Sequence, residues 1–219
     1  MATRLRLYHY WRSTSSWRVR WALAFKGIPV EYVAVSLLDG ESESEAHRAR
    51  SPFGYVPVLE FLDETDSKGR YLVESLPMIE FLEETHPENS VLPSNPRDRA
   101  HVRALAETIN AGTQPLQNLT TQIAYSPDSE PSSAEKRKAW AQLWIRQGLE
   151  AYEALAHARA GKFSFGDSLT LADFCLIPQC YNAIRNDVSF ENYPTIARVY
   201  ANAIQTESYL ASEPDRFKP

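Results

Sequence analysis

Four consecutive hydroxyl side chains, Ser13-Thr14-Ser15-Ser16, stand between a short segment of strand period and a longer one of helix period. Leu5, Leu7 and His9 alternate with Arg4, Arg6 and Tyr8, the two-residue repeat of a strand. Val19, Ala22 and Leu23 with Trp21 give a helical face. Lys26-Gly27-Ile28-Pro29 then ends the helix with a cation, a glycine at C′ and a proline stop. The start of a helix offers unpaired backbone N–H groups and the positive end of the dipole, so a strand-to-helix junction can hold an anion. Hydroxyls placed there can cap the helix, and they can equally donate to a bound thiolate. This junction is the candidate active centre.

Val30 to Ser36 reads as a second strand, and Ser42 to Arg50 is polar and helix-compatible until Ser51-Pro52-Phe53-Gly54 ends it. In Tyr55 to Phe61 a proline opens an apolar strand. Proline cannot donate to a ladder, so Pro57 is expected at the strand's first residue, a position compatible with a cis bond. The N–H and C=O of Val56 would then be left to pair with an extended peptide. Asp63 to Gly69 is a polar turn, Tyr71 to Val73 a strand and Met78 to Glu84 a helix. Ser75 is placed to cap that helix and to form a second, carboxylate-sized anion site. His86 to Pro96 holds Pro87, Pro93 and Pro96 and reads as a linker. Helical pattern follows over Arg97 to Asn110, Pro115 to Tyr125, Ser133 to His157, Leu171 to Asn182 and Pro194 to Ile204. The expected organisation is a small α/β domain over 1–86, a linker over 87–96 and an all-helical domain over 97–219.

Length and charge exclude several function classes. A chain of 219 residues, 43% hydrophobic and 23% charged, can bury a proper core. A net charge of −5 leaves no broad basic surface for nucleic acid. No segment approaches the roughly 20 apolar residues of a membrane span, and Met1 to Arg12 lacks the apolar centre of a secretory signal, so a cytoplasmic protein is expected. Cys175 and Cys180 point in different directions on a helix and are expected to be buried and inert. No metal site is expected from the scattered His9, His47, His86, His101 and His157. Thr170 and Asp173 form a capping box behind Leu169, so Asp173 is read as a fold residue rather than a catalytic one.

The stretch Ser13-Thr14-Ser15-Ser16-Trp17-Arg18-Val19-Arg20-Trp21-Ala22-Leu23 resembles the signature of the zeta class of the glutathione transferase superfamily, the class that includes maleylacetoacetate isomerases. Val56-Pro57, Glu74-Ser75, Gln114 to Leu119, Gly166 to Asp173 and Ile177-Pro178-Gln179 extend the likeness over nearly the whole chain. The resemblance implies a thioredoxin-like N-terminal domain binding glutathione, an all-α C-terminal domain supplying a second substrate pocket, and a homodimer. It implies Ser13 as the catalytic hydroxyl, with Thr14 and Ser15 completing the turn around the sulfur. Val56 would meet the cysteinyl backbone, and Glu74 and Ser75 the γ-glutamyl end. Gln114 and Asn118 match contacts to glutathione or substrate, and Arg185 matches a site for a substrate carboxylate.

The implied activity is glutathione-dependent cis-trans isomerisation of maleylacetoacetate-type diketo acids in tyrosine and phenylalanine catabolism. The alternatives are maleylpyruvate isomerisation, and conjugation or dehalogenation of small electrophiles such as α-halo acids. Ser15 stands where the class has cysteine, Thr14 where it has serine, and Glu74 where it has glutamine. A serine still donates to a thiolate, although it does not readily form a mixed disulfide. Lowering a thiol from about 8.5 by about two units needs roughly 2.7 kcal/mol. One charged hydrogen bond supplies about 1.5 to 3 kcal/mol and a helix start about 0.3 to 2, which together suffice. Arg18, a cation near the start of the helix, is expected to contact an anionic substrate, whereas Arg12 and Arg20 are expected on a solvated or salt-bridged face.

Overall fold

In the computed structural model, residues 4–66 and 69–219 are described. Part of the polar turn expected over Asp63 to Gly69 therefore lies outside the described residues. The chain forms two compact units, Met1–Val91 with Thr206–Pro219, and Leu92–Gln205.

In the first unit, β1 (Leu5–His9) is followed by α1 (Thr14–Lys26) and β2 (Val30–Ala34), and β1 and β2 pair in parallel. The expected helical patch after β2 is a short 3-10 turn, Glu41–Glu43, and α2 (Glu45–Arg48). Then come β3 (Val58–Phe61), β4 (Tyr71–Val73) and α3 (Ser75–Thr85). Both later pairings are antiparallel, and the sheet order is β2-β1-β3-β4. Alternation along β1 sends Leu5 and Leu7 into the core on one face. Tyr8, on the other face, gathers with Val35, Val56 and Val58. On that second face the buried Glu60 carboxylate accepts from Tyr8 Oη at 2.9 Å, Arg6 Nη1 at 3.1 Å and Arg70 Nε at 2.7 Å.

Helix α1 stops as its sequence dictates. Gly27 adopts the left-handed conformation, φ 68°, that closes a helix without a Cβ penalty, and Ile28 N donates to Leu23 O at 3.0 Å. The helix is buried on every side from Ser16 to Leu23, two arginines included. Of the solvated or salt-bridged face expected for Arg20, the solvated part is overturned, because its side chain is fully buried. Lys26 is buried as well, with Nζ 2.8 Å from Glu83 Oε2 and 2.7 Å from His86 O. A sixth helix-forming stretch after residue 97, missed by periodicity, is α9 (Glu207–Ser212, numbered after the five below). It packs on α1: Trp17 Nε1 donates to Ser212 Oγ at 3.1 Å, Trp21 Nε1 to Ser208 Oγ at 2.9 Å, and Tyr209 lies against both indoles. A 3-10 turn, Pro214–Phe217, follows.

The second unit holds α4 (Pro96–Asn110), α5 (Leu119–Tyr125), α6 (Ser133–Ala156), α7 (Leu171–Arg185) and α8 (Pro194–Ala203). Asn95 caps α4, its Oδ1 accepting from Arg97 N at 2.9 Å. α7 is buried without a break from Leu171 to Cys180, and Cys175 and Cys180 are free thiols inside it. The Asp173 carboxylate accepts from Thr170 N and Ser164 N, each at 2.8 Å, as its capping role requires. Helix α5 starts at Leu119 rather than Pro115, because Asn118 caps it through Oδ1, 2.8 Å from Leu119 N. Among the described residues no helix is long and apolar enough to cross a membrane.

Candidate active site

Sheet register brings the first unit's candidate residues to one end. Tyr8 lies opposite Val58 across β1 and β3, and Val58 opposite Val73 across β3 and β4. The residues just beyond these pairs, Tyr10 to Ser13, Val56-Pro57 and Glu74-Ser75, therefore leave the sheet at the same edge. A hydrogen bond ties α1 to the last of them, Arg18 Nη1 donating to Ser75 Oγ at 3.2 Å.

Ser13 is the N-cap of α1, with extended backbone at φ −68° and ψ 123°. Its Oγ accepts from Ser16 N at 3.2 Å, and its own N–H donates to Tyr10 O at 3.1 Å. A hydroxyl has one donor and two acceptor positions. With an acceptor position given to the cap, the Ser13 hydroxyl keeps its donor capacity for another partner. Thr14 and Ser15, both half-buried, form the first turn behind it. Ser16 has a structural role instead: it is fully buried, and its Oγ accepts from Tyr10 N at 3.4 Å.

The Val56-Pro57 bond is cis, and β3 begins one residue after Pro57, so Val56 lies outside the ladder. Its neighbour is pinned from both sides. Tyr55 N donates to Ser51 Oγ at 3.1 Å, and Tyr55 O is 3.1 Å from His47 Nε2. A carbonyl only accepts, so that ring nitrogen carries the proton.

At α3 the expectation for Ser75 needs correction. Glu74 occupies the N-cap position and makes no side-chain cap, while Ser75 is the first helical residue. The Ser75 oxygen accepts from Arg18, which leaves its O–H free to donate at the helix start. Glu74 is exposed and has φ 70°, a conformation uncommon outside glycine that clusters at ligand clamps. The direct substrate contact expected of Arg18 is also corrected. Its side chain is fully buried, with Nη1 donating to Ser75 Oγ rather than reaching solvent.

His9 and Arg20 lie beneath the turn. Arg20 Nη2 donates to Trp11 O at 2.9 Å and Nη1 to Tyr10 O at 3.4 Å. His9 Nδ1 is 3.3 Å from Arg20 Nη1 and accepts from it, since a guanidinium has no acceptor. Burial, then the Arg20 charge, push the His9 pKa down to about 4. Sequence reasoning missed this pair because nothing local signals that an arginine two residues after Arg18 turns inward.

In the second unit Gln114 and Asn118 are half-buried in the loop before α5. Between them Gln117 exchanges amide hydrogen bonds with Gln179 of α7, at 2.5 and 3.0 Å, which anchors the loop. Arg185 is exposed at the last residue of α7, its guanidinium 5.8 Å from the Tyr181 ring. Among the described residues no group of His, Cys, Asp and Glu is arranged to hold a metal ion.

A thioredoxin-like sheet, a hydroxyl-capped first helix and a strand entered through cis-Pro57 define a glutathione transferase. Residues 7–90 match the family described as "Glutathione S-transferase, N-terminal domain", and residues 116–212 match "Glutathione S-transferase, C-terminal domain". The chain belongs to that family. Its relatives place it more narrowly. A probable maleylacetoacetate isomerase 2 of Drosophila melanogaster is 39% identical over 95% of this chain and 87% of its own length. The crystal structure of maleylacetoacetate isomerase from Anaeromyxobacter dehalogenans, with glutathione bound in the active site, is 45% identical with a TM-score of 0.86, covering 100% of this chain and 98% of that one. A holo maleylpyruvate isomerase, described as a bacterial zeta-class glutathione transferase, is 36% identical with a TM-score of 0.86, covering 95% of this chain and 96% of its own.

Proposed function

We propose that the chain is a glutathione-dependent cis-trans isomerase of maleylacetoacetate-type diketo acids, serving tyrosine and phenylalanine catabolism in the cytoplasm as a homodimer. The observation that carries this reading is the Ser13 hydroxyl at the start of α1, which gives an acceptor position to the cap and stands at the end of the sheet where Val56 and Ser75 also leave it. The donor set fits glutathione. Ser13 suits a sulfur, the Val56 backbone a cysteinyl peptide, and Ser75 at the start of α3 a carboxylate.

Glutathione, when bound, supplies the sulfur that adds to the cis double bond and leaves once that bond has turned. Ser13 donates to the sulfur and favours its charged form, and the start of α1 adds to the same preference. Thr14 and Ser15 complete the turn around it. Arg18 orients the Ser75 hydroxyl by donating to its oxygen. Glu74, exposed beside it, would take the glutathione ammonium by charge. Gln114 and Asn118 are assigned to glutathione or substrate, and Arg185 to a substrate carboxylate through its planar fork.

The test supplies the full chain with glutathione and, separately, maleylacetoacetate, maleylpyruvate and an α-halo acid. Turnover of maleylacetoacetate with total thiol unchanged is the expected result. Thiol loss in proportion to product would overturn the reading in favour of conjugation or dehalogenation. Faster turnover of maleylpyruvate would favour the second reading, which the likeness to the maleylpyruvate isomerase supports.

A further inference from the structure

Arg20 and Phe217 lie far apart in sequence, yet they meet directly beneath the Ser13 turn. The Arg20 guanidinium sits 4.6 Å from the Phe217 ring centroid. That ring also closes a three-ring cluster, edge-on to His9 at 5.4 Å and to Tyr32 at 4.9 Å, while His9 and Tyr32 are themselves 5.4 Å apart. The N–H groups along the guanidinium edge grip backbone. It donates to Tyr10 O at 3.4 Å, Trp11 O at 2.9 Å and, through Nε, Ser212 O at 3.3 Å.

The Tyr10 carbonyl is the point of coupling. It accepts from Arg20 and also from Ser13 N at 3.1 Å, so one oxygen joins the buried cation to the residue that presents the hydroxyl. A carbonyl oxygen has two lone pairs, and both bonds use it within its capacity. The path Phe217, Arg20, Tyr10 O, Ser13 N is unbroken and lies within one compact unit.

We propose that Arg20 is a positioning residue for the Ser13 hydroxyl, and that the Pro214–Phe217 turn holds it in place through the Phe217 ring. This rests on the reading that Ser13 activates the glutathione sulfur. Removing the ring takes away the packing against the guanidinium, so its bonds to the carbonyls loosen, the Tyr10 to Ser13 turn widens, and the hydroxyl loses its aim without being chemically altered.

The experiment compares Phe217→Ala, Phe217→Tyr and Arg20→Lys in the full chain. Each is saturated with glutathione, and the ionisation of the bound thiol is followed by ultraviolet absorbance against pH, beside kcat, KM and thermal melting. Phe217→Ala is expected to raise the ionisation midpoint by about one unit and lower kcat below that midpoint about tenfold. KM for glutathione should change less than twofold, because the Val56 and Ser75 contacts are untouched. Phe217→Tyr should restore both values, and Arg20→Lys, which keeps the charge without the fork, should behave like Phe217→Ala.

An unchanged midpoint in folded Phe217→Ala, or an effect confined to melting temperature, would overturn the proposal. Should Arg20→Lys fail to fold, the two Phe217 variants decide it alone. A wild-type midpoint equal to that of free glutathione would overturn this proposal and the role of Ser13 together, whereas a depressed wild-type midpoint shared by Phe217→Ala would overturn this one only.

Discussion

In the proposed mechanism the cap and the thiolate contact use different parts of the Ser13 hydroxyl, so two different replacements can separate them. The oxygen accepts from Ser16 N at 3.2 Å, and the proposed mechanism gives the proton to the sulfur. Ser13→Ala removes both. Loss of a hydrogen bond to a charged group forfeits about 1.5 to 3 kcal/mol, which is about one to two units of thiol pKa. Loss of the cap costs about 0.5 to 2 kcal/mol of folding stability, or a melting point lower by roughly 1 to 8 °C for a chain of this size. Glycine at an N-cap costs only a few tenths of a kcal/mol. Ser13→Gly should therefore melt close to wild type, yet lose the same thiolate stabilisation.

The assay follows isomerase rate and bound-thiolate absorbance from about pH 5.5 to 9, a range that brackets both the lowered and the ordinary thiol pKa. Both variants should have rates about ten- to a hundredfold below wild type at the acid end, converging with it at the alkaline end as the thiol ionises unaided. A Ser13→Gly midpoint within about 0.3 units of wild type would refute the reasoning, because that shift is worth only about 0.4 kcal/mol. The donor would then be Thr14 or Ser15.

Two further predictions concern buried titratable groups. His9 is 3% exposed and its pKa falls to about 4 in the fold, so the unfolded chain binds more protons below its ordinary value. Its contribution to stability is fully present above about pH 6.5, and about 3 kcal/mol of it is lost as the pH falls to about 4; urea titrations of His9→Asn should lack that loss, and an unchanged pH profile would sink the assignment. Asp173→Ala strands the Ser164 and Thr170 N–H groups, so stability should fall by about 2 to 5 kcal/mol. Its kcat per folded molecule should stay near wild type, and a selective loss of kcat would give Asp173 a chemical role after all.

Much of the first unit was legible because its signals are local. Strand alternation before Ser13 and Gly27 after Lys26 bracket α1 to within a residue, and the Thr170-Asp173 spacing identifies the start of α7. Signals that depend on distant partners were not legible. α9 is six residues long, too short for periodicity, and it owes its place to the indoles of Trp17 and Trp21. Ser75 looked like a cap because serine favours caps, whereas here its oxygen is engaged by Arg18 from another helix. Arg20 read as solvated because arginine is seldom buried, and the carbonyls that make its burial tolerable come from residues 10, 11 and 212.

The three buried cations of α1 share one use. Arg18 donates to Ser75 Oγ, Arg20 to the carbonyls of Tyr10, Trp11 and Ser212, and Lys26 to those of His86, Glu88 and Asn89. Together they reach four segments outside α1, so the helix fastens the turn before it, the start of α3, the chain after α3 and the end of α9. Hydrophobic side chains of equal volume would fill the same space, and replacing buried ionic groups in that way is often neutral or favourable for stability. Their carbonyl and hydroxyl contacts give something packing alone does not, namely direction. A cation near the start of a helix opposes the dipole, and in the proposed complex a thiolate or carboxylate would add a separate attraction that offsets that unfavourable term. The placement of Arg18 thus disfavours the free enzyme slightly and favours the loaded one, which is the sign expected of a site built to hold negative charge.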